Sequence, residues 1–294
     1  MRRADAASRI PTVVSAGFAG AVVLLCSLIA LPVGAASQAP PRHRRPPTTT
    51  STTTTPVTDP NASPPTVIPA GQLVFSDEFD GTTLDLSKWQ PNWLGANNAS
   101  VTKPINGAEL SCYDPAQVSE SGGYLNLTAA ARPCTAANGV TYGYASGLVE
   151  SRPYFTFAYG RMEARLCTSA APDGTIANWP AFWADGTGTW PVTGELDVME
   201  GLSGSAAGHF HSPAGGPGVR APAALAGPGC HTYAADWSPG TVTYVYDGVT
   251  IGSIASGITS APMYLILNLG VGGYGGAIQT PSTLLVDYVR VWRN

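Results

Sequence analysis

Thr241-Val242-Thr243-Tyr244-Val245-Tyr246, then Asp247-Gly248, then Val249-Thr250-Ile251-Gly252 is the stretch whose reading decides the fold class. Side chains along a strand alternate between faces, and β-branched and aromatic residues suit that pleated surface. An Asp-Gly pair between two such runs supplies the positive φ values of a two-residue hairpin turn. The same pattern recurs outward from it. Gly123-Tyr124-Leu125-Asn126-Leu127-Thr128, the run from Gly160 to Leu166, the run from Tyr264 to Leu269 and the run from Leu284 to Trp292 all read as strands. No window carries a long amphipathic helix with caps, and no internal repeat is found. Many short strands between Gly and Pro turns predict an all-β domain, and for this length a β-jelly-roll sandwich of two curved antiparallel sheets.

That domain is expected over residues 70–294, a length one large sandwich of up to roughly 250 residues accommodates. Before it the composition changes twice. Residues 1–36 hold Arg2, Arg3 and Arg9, an apolar run from Pro11 to Val33, and small residues Gly34-Ala35-Ala36. This order is that of a secretory signal peptide, with an uncleaved N-terminal membrane anchor as the alternative, since about 20 apolar residues span a bilayer. Residues 37–69 are almost only Pro, Thr, Ser, Ala and Arg, a composition that reads as a disordered linker. The expected location is therefore extracellular, secreted or anchored facing outward.

The net charge is −4, which gives no electrostatic case for a nucleic-acid partner. The chain is expected to act as a monomer. Cys112, Cys134, Cys167 and Cys230 lie in the domain, an even number that points to disulfides in an exported protein. Three pairings are open, and Cys112–Cys134 is favoured because the two flank one predicted hairpin.

Gly194-Glu195-Leu196-Asp197-Val198-Met199-Glu200 carries the chemistry. Alternation puts Glu195 and Asp197 on one face, and Leu196 and Val198 on the other. Strict alternation would then bury Glu200 with the apolar side chains, a costly place for a carboxylate. One extra residue, a β-bulge at Val198-Met199, returns Glu200 to the acidic face. Three acids in one line repel one another. That arrangement makes chemical sense where one pKa is raised and another group kept ionised, the division of labour that glycoside hydrolysis requires. An exposed acidic edge strand or a calcium loop is the competing interpretation.

Glu195-Leu196-Asp197-Val198-Met199-Glu200 resembles the signature of glycoside hydrolase family 16 in its bulged, laminarinase-like form. Phe75-Ser76-Asp77-Glu78-Phe79 with Ser87-Lys88-Trp89 is similar to the family's opening, and Ala108-Glu109-Leu110-Ser111-Cys112-Tyr113 to its Asn-Glu-Leu segment, with Ala108 in place of the usual Asn. Tyr159 to Arg165, Trp179-Pro180-Ala181-Phe182-Trp183 and Val286 to Val291 extend the resemblance. It implies a concanavalin A-like jelly roll and a retaining endo-glycosidase acting on β-1,3-glucan. Mixed-linkage glucan, galactan, transglycosylation, or a non-catalytic carbohydrate-binding module are the alternatives.

Carried over by residue, the resemblance makes Glu195 the nucleophile, Glu200 the acid/base and Asp197 the group that tunes them. It assigns Glu163, Arg165, Trp179, Trp190, His209 and His211 to substrate binding, Trp183 being the less favoured tryptophan. His209 and His211 would share a strand face. No third His or Cys accompanies them, which argues against zinc. No cofactor is expected for catalysis. A structural calcium is implied, held by Glu78, Asp287 and the carbonyl near Gly123. Two loops depart from the family pattern and are expected near the cleft: Cys167 to Asp173, and Tyr274-Gly275-Gly276, which replaces a Trp-containing loop and so removes one aromatic wall.

Overall fold

The computed structural model describes residues 71–293. The predicted signal or anchor segment 1–36 and the linker 37–69 lie outside the described residues. In chain order the strands are β1 (Gln72–Asp77), β2 (Ser111–Tyr113), β3 (Val118–Ser121), β4 (Tyr124–Ala129), β5 (Cys134–Thr135), β6 (Thr141–Tyr142), β7 (Tyr144–Ser146), β8 (Leu148–Glu150) and β9 (Gly160–Thr168). They continue as β10 (Trp179–Gly186), β11 (Glu195–Leu202), β12 (Ser205–His211), β13 (Gly218–Arg220), β14 (Gly229–Ser238), β15 (Thr241–Tyr246), β16 (Val249–Ile254), β17 (Met263–Gly270) and β18 (Ser282–Arg293). The only helical pieces among the described residues are two single 3₁₀ turns, Pro115–Gln117 and Ala223–Leu225.

Two antiparallel sheets form the sandwich. One has eight strands, ordered β16-β15-β14-β9-β18-β4-β3, with β1 also paired to β18; the other runs β13-β12-β11-β10-β17-β8. The all-β jelly roll read from the alternating pattern is thus the observed architecture. Its deciding hairpin is present: β15 pairs with β16, and both Asp247 (φ 46°) and Gly248 (φ 78°) have positive φ. Asp247 is also tied down, accepting from the Thr232 N–H at 2.7 Å and meeting His231 Nδ1 at 2.6 Å.

Each sheet contributes every second residue to the space between. From the eight-stranded sheet come Met162, Ala164 and Leu166 of β9 and Leu284, Val286, Val289 and Val291 of β18; from the six-stranded sheet come Phe182, Leu196, Leu265 and Leu267. All are buried, and at about 25 cal/mol per Å² of apolar surface this shared layer is the main favourable term holding the sheets together. A second, smaller cluster of Leu148, Trp183, Tyr264 and Ile266 lies on the other face of the six-stranded sheet, with Tyr113, Trp93 and Ile105 packed over it.

Sheet membership corrects one expectation. Glu163 and Arg165 do share a strand face, but β9 belongs to the eight-stranded sheet, and these two point away from the shared core on its far side. Glu163 is bonded to Arg161 (2.8 Å) and to the Tyr288 hydroxyl (3.0 Å), and Arg165 donates to Asp287 at 2.8 Å. They are a structural polar layer, not sugar ligands. Their burial, at 2% exposure each, is supported by these partners.

The cysteines pair as Cys112–Cys134 and Cys167–Cys230. The second bridge joins directly opposed positions of β9 and β14. Of the loop from Cys167 to Asp173, Cys167 and Thr168 end β9, and the segment is anchored by this bridge and by the Ser169 hydroxyl on the Thr283 carbonyl.

Candidate active site

The bulge lies where the buried-carboxylate argument put it. Opposite β10, Met199 pairs with Phe182 and Asp197 with Trp183, so Val198 has no partner across the ladder. Val198 and Met199 therefore both enter the core, with Leu196 before them, while Glu195, Asp197 and Glu200 open on the other face. Their face floors a cleft of about 810 Å³.

The three carboxylates form a graded row. Asp197 is 3% exposed and sits between the others. Carboxylate and imidazole atoms of Glu195, Asp197 and His211 lie within 4.8 Å of one another, as do those of Asp197, Glu200 and His209. Glu200 is held from two sides: His209 Nδ1 meets its Oε2 at 3.0 Å, and the Trp179 indole donates to its Oε1 at 3.2 Å. His211 Nε2 stands 3.3 Å from Asp197 Oδ2 and 3.8 Å from Glu195 Oε1. Burial, then the charges of Glu200 and Glu195, hold the Asp197 carboxyl well above the usual carboxylate range. Burial, then the charge of Asp185, pushes Glu195 up to about 7, against the lowering effect of the Trp190 indole. The hydrogen bond between Asp197 and Glu195 raises the first and lowers the second, so of the two Glu195 is the one the contact favours as the anion. Burial lowers the His211 value, against the raising effect of the Glu200 charge.

Trp179, Trp190, His209 and His211, expected at the substrate, all line the cleft. Trp183 lines it too, with its indole fixed by the Asn268 amide oxygen at 2.8 Å. Glu163 and Arg165 do not. Tyr274 corrects a further expectation: it lies 66% exposed, edge-on to Trp179 with ring centroids 5.6 Å apart, and lines the cleft. The replaced loop still supplies an aromatic wall.

Several cleft residues were not assigned to the site by the sequence reading. Trp93 comes from the long connection between β1 and β2 and packs over Trp183 and Tyr264, at 5.7 and 6.3 Å. Glu109 accepts from the Tyr113 hydroxyl at 2.5 Å, Tyr113 accepts from Asn268, and Asn268 accepts from Trp183. This chain of bonds ties the Ile105–Glu109 loop to the cleft floor. Asp185 lines the cleft beside Glu195, and Arg220 is its one guanidinium. Asp185 had a signal that was available: it follows Trp183 at the strand period of two.

The implied calcium ligands lie on neighbouring strands. Leu125 pairs with Val286 and Asp77 with Val289, which brings the Gly122-Gly123 turn and Glu78 to the stretch of β18 around Asp287. Their oxygen donors suit calcium in type. Glu78, however, forks onto Arg290 at 2.6 and 2.9 Å, and Asp287 accepts from Arg165. An ion there would compete with two guanidinium groups.

Residues 108–290 match the model of Glycosyl hydrolases family 16. The chain is 30% identical over 265 residues to glucan endo-1,3-beta-glucosidase A1 of Niallia circulans, covering 75% of this chain and 38% of that protein. It is 29% identical over 263 residues to a beta-glucanase of Rhodothermus marinus, covering 76% of this chain and 86% of that protein. The catalytic domain of an endo-1,3-beta-glucanase (laminarinase) from Thermotoga petrophila superposes with a TM-score of 0.64 at 26% identity, over 76% of this chain and 98% of that one. The chain thus spans about two-fifths of the length of the Niallia relative and most of the other two.

Proposed function

Since the chain belongs to glycosyl hydrolases family 16, we propose that it is a retaining endo-glycosidase that cuts β-1,3-glucan of the laminarin type, exported from the cell. One observation carries the reading: Glu195 and Glu200 open on one cleft with the buried Asp197 between them. Glu195 attacks the anomeric carbon. Glu200, oriented by His209 and Trp179, protonates the leaving oxygen and then takes the proton of the incoming water. A hydrogen bond from Asp197 lowers the Glu195 value against its burial and so favours the anion that attacks. Pyranose rings offer C–H faces, and Trp179, Trp190 and Tyr274 give aromatic surfaces to cover them. The preference for β-1,3 linkages is supported by the names of the Niallia and Thermotoga proteins. A non-catalytic binding module would have no use for the three acids in register.

The test is chemical rescue and product analysis. Glu195→Ala should lose turnover, and added azide should restore part of it as a glycosyl azide of inverted configuration. Glu200→Ala should retain activity mainly on substrates with good leaving groups. Incubation with laminarin should release short oligosaccharides of retained configuration. If laminarin stays intact while a mixed-linkage glucan or a galactan is shortened, the linkage assignment falls and only the retaining chemistry remains.

A further inference from the structure

Asp185 stands on β10 directly opposite Glu195 on β11. Side chains so paired have Cβ atoms about 4.5–5.5 Å apart, and like charges there are destabilising. Both line the cleft. Asp185 is also fixed in place: the Tyr264 hydroxyl, one strand over on β17, donates to its Oδ2 at 3.0 Å, while Oδ1 is buried without a partner. The Arg152 guanidinium lies 5.6 Å from the centre of the Tyr264 ring. Beside it Glu150, at 1% exposure, accepts from the Leu94 N–H through Oε1 and leaves Oε2 unpartnered. The groups facing the Asp185–Glu195 pair are therefore Asp197 and Glu200 on β11, His211 on β12, Tyr264 on β17, Glu150 and Arg152 at the end of β8, and the Trp190 indole.

A hydrophobic residue at position 185 would extend the cluster around Trp183 and Tyr264 without a buried charge. A carboxylate held there by a phenol, with a nucleophile across the ladder, needs another reason. We propose that Asp185 is a positioning residue for the proton of Glu195, so that the acid limit of the reaction belongs to the pair and not to the nucleophile alone. This rests on the reading of Glu195 as nucleophile. At low pH the pair holds two protons, and Glu195 cannot attack. As pH rises the first proton leaves, and the negative charge that stays on the pair delays the second. The directions agree: burial pushes Asp185 up to about 6, and after burial the charge of Asp185 contributes most to the raised value of Glu195. Replacing the charge at 185 should therefore let Glu195 ionise at lower pH.

The experiment compares pH profiles of kcat/KM on laminarin for the wild-type chain, Asp185→Asn and Asp185→Glu. Asn keeps the shape and an acceptor for Tyr264 but drops the charge; Glu keeps the charge and changes the shape. The acid limb should move about one pH unit lower in D185N and stay near wild type in D185E. A merely structural role gives the opposite order, with D185N closest to wild type, and an unmoved limb in D185N overturns the proposal. A carboxyl ¹³C NMR titration of glutamate-labelled protein, with Glu195 identified by its loss in E195Q, reads the same pair without substrate. A Glu195 midpoint that falls in D185N upholds the proposal even if laminarin is not cut, which separates it from the functional reading. Should D185N not fold, the wild-type titration decides: a two-step Glu195 curve supports the pair, and a single step at an ordinary glutamate value refutes it.

Discussion

The phenol of Tyr246, on the sheet opposite the cleft, donates to the carbonyl of Val198 at 2.7 Å. Val198 is the residue that leaves the β10–β11 ladder, and this phenol holds its carbonyl in the core. Tyr244, on the same strand, donates to the His209 carbonyl at 2.6 Å. The non-catalytic sheet thereby pins both strands that carry the cleft's acids and imidazoles. Tyr246→Phe removes one donor and leaves that carbonyl buried, which should cost about 1–3 kcal/mol of stability by denaturant titration. Because the bulge sets the position of Glu200, kcat should fall by a larger factor than KM rises; steady-state kinetics on a folded sample check this.

The acid cluster makes the folded state weaker at neutral pH. Glu195, Asp185 and Glu150 all have values raised by burial, to about 7, 6 and 7. Each binds its proton more tightly folded than unfolded, so its stabilising contribution is fully present below the unfolded value and is lost as pH rises through the folded one. Glu195→Gln should therefore raise Tm relative to wild type, with a gain that grows between about pH 4.5 and 7. At one pKa unit per about 1.4 kcal/mol, the gain at pH 7.5 should be on the order of 1 kcal/mol or more. Calorimetry over this pH range would expose the opposite trend.

Arg165 offers a contrast, since it is buried and charged yet lies off the cleft. Truncating it leaves Asp287 without its 2.8 Å partner and empties a space 2% exposed. Arg165→Ala should lower stability by about 2 kcal/mol or more, while KM for laminarin stays near the wild-type value. A selective rise in KM in a protein of normal stability would return Arg165 to the substrate.

Tyr274 should behave in the opposite way. It is exposed, bears no buried neighbour's hydrogen bond, and stands against Trp179. Tyr274→Ala should leave Tm unchanged and raise KM roughly fivefold, the loss of about 1 kcal/mol of stacking. Equal KM values would mean that the ring faces solvent without meeting the glycan.

What the residues disclosed and what they hid follows from the kind of information strand patterns hold. Alternation names the face of a strand, so the bulge at Val198 was legible from Glu200 falling on the wrong side. The Asp247-Gly248 hairpin and the Cys112–Cys134 bridge were legible for local reasons as well. Alternation does not name the sheet: Glu163 and Arg165 alternate as well as Glu195 and Asp197 do, on a strand whose polar side faces away from the cleft. Cross-strand neighbours are also silent in one dimension. Asp185 becomes interesting only once it stands opposite Glu195, and Trp93 only once a long connection brings it over Trp183.

The Cys167–Cys230 bridge closes a ring of chain across a separation of 63 residues. Strands β10 to β13 lie inside that ring, and with them Trp179, Asp185, Trp190, Glu195, Asp197, Glu200, His209 and His211. A protease that cuts once in a loop between Thr168 and Gly229 would open the ring without releasing either end. Both fragments would stay joined through sulfur, each still paired into its sheet. The whole reacting centre is in this way carried on a segment that a single nick does not detach.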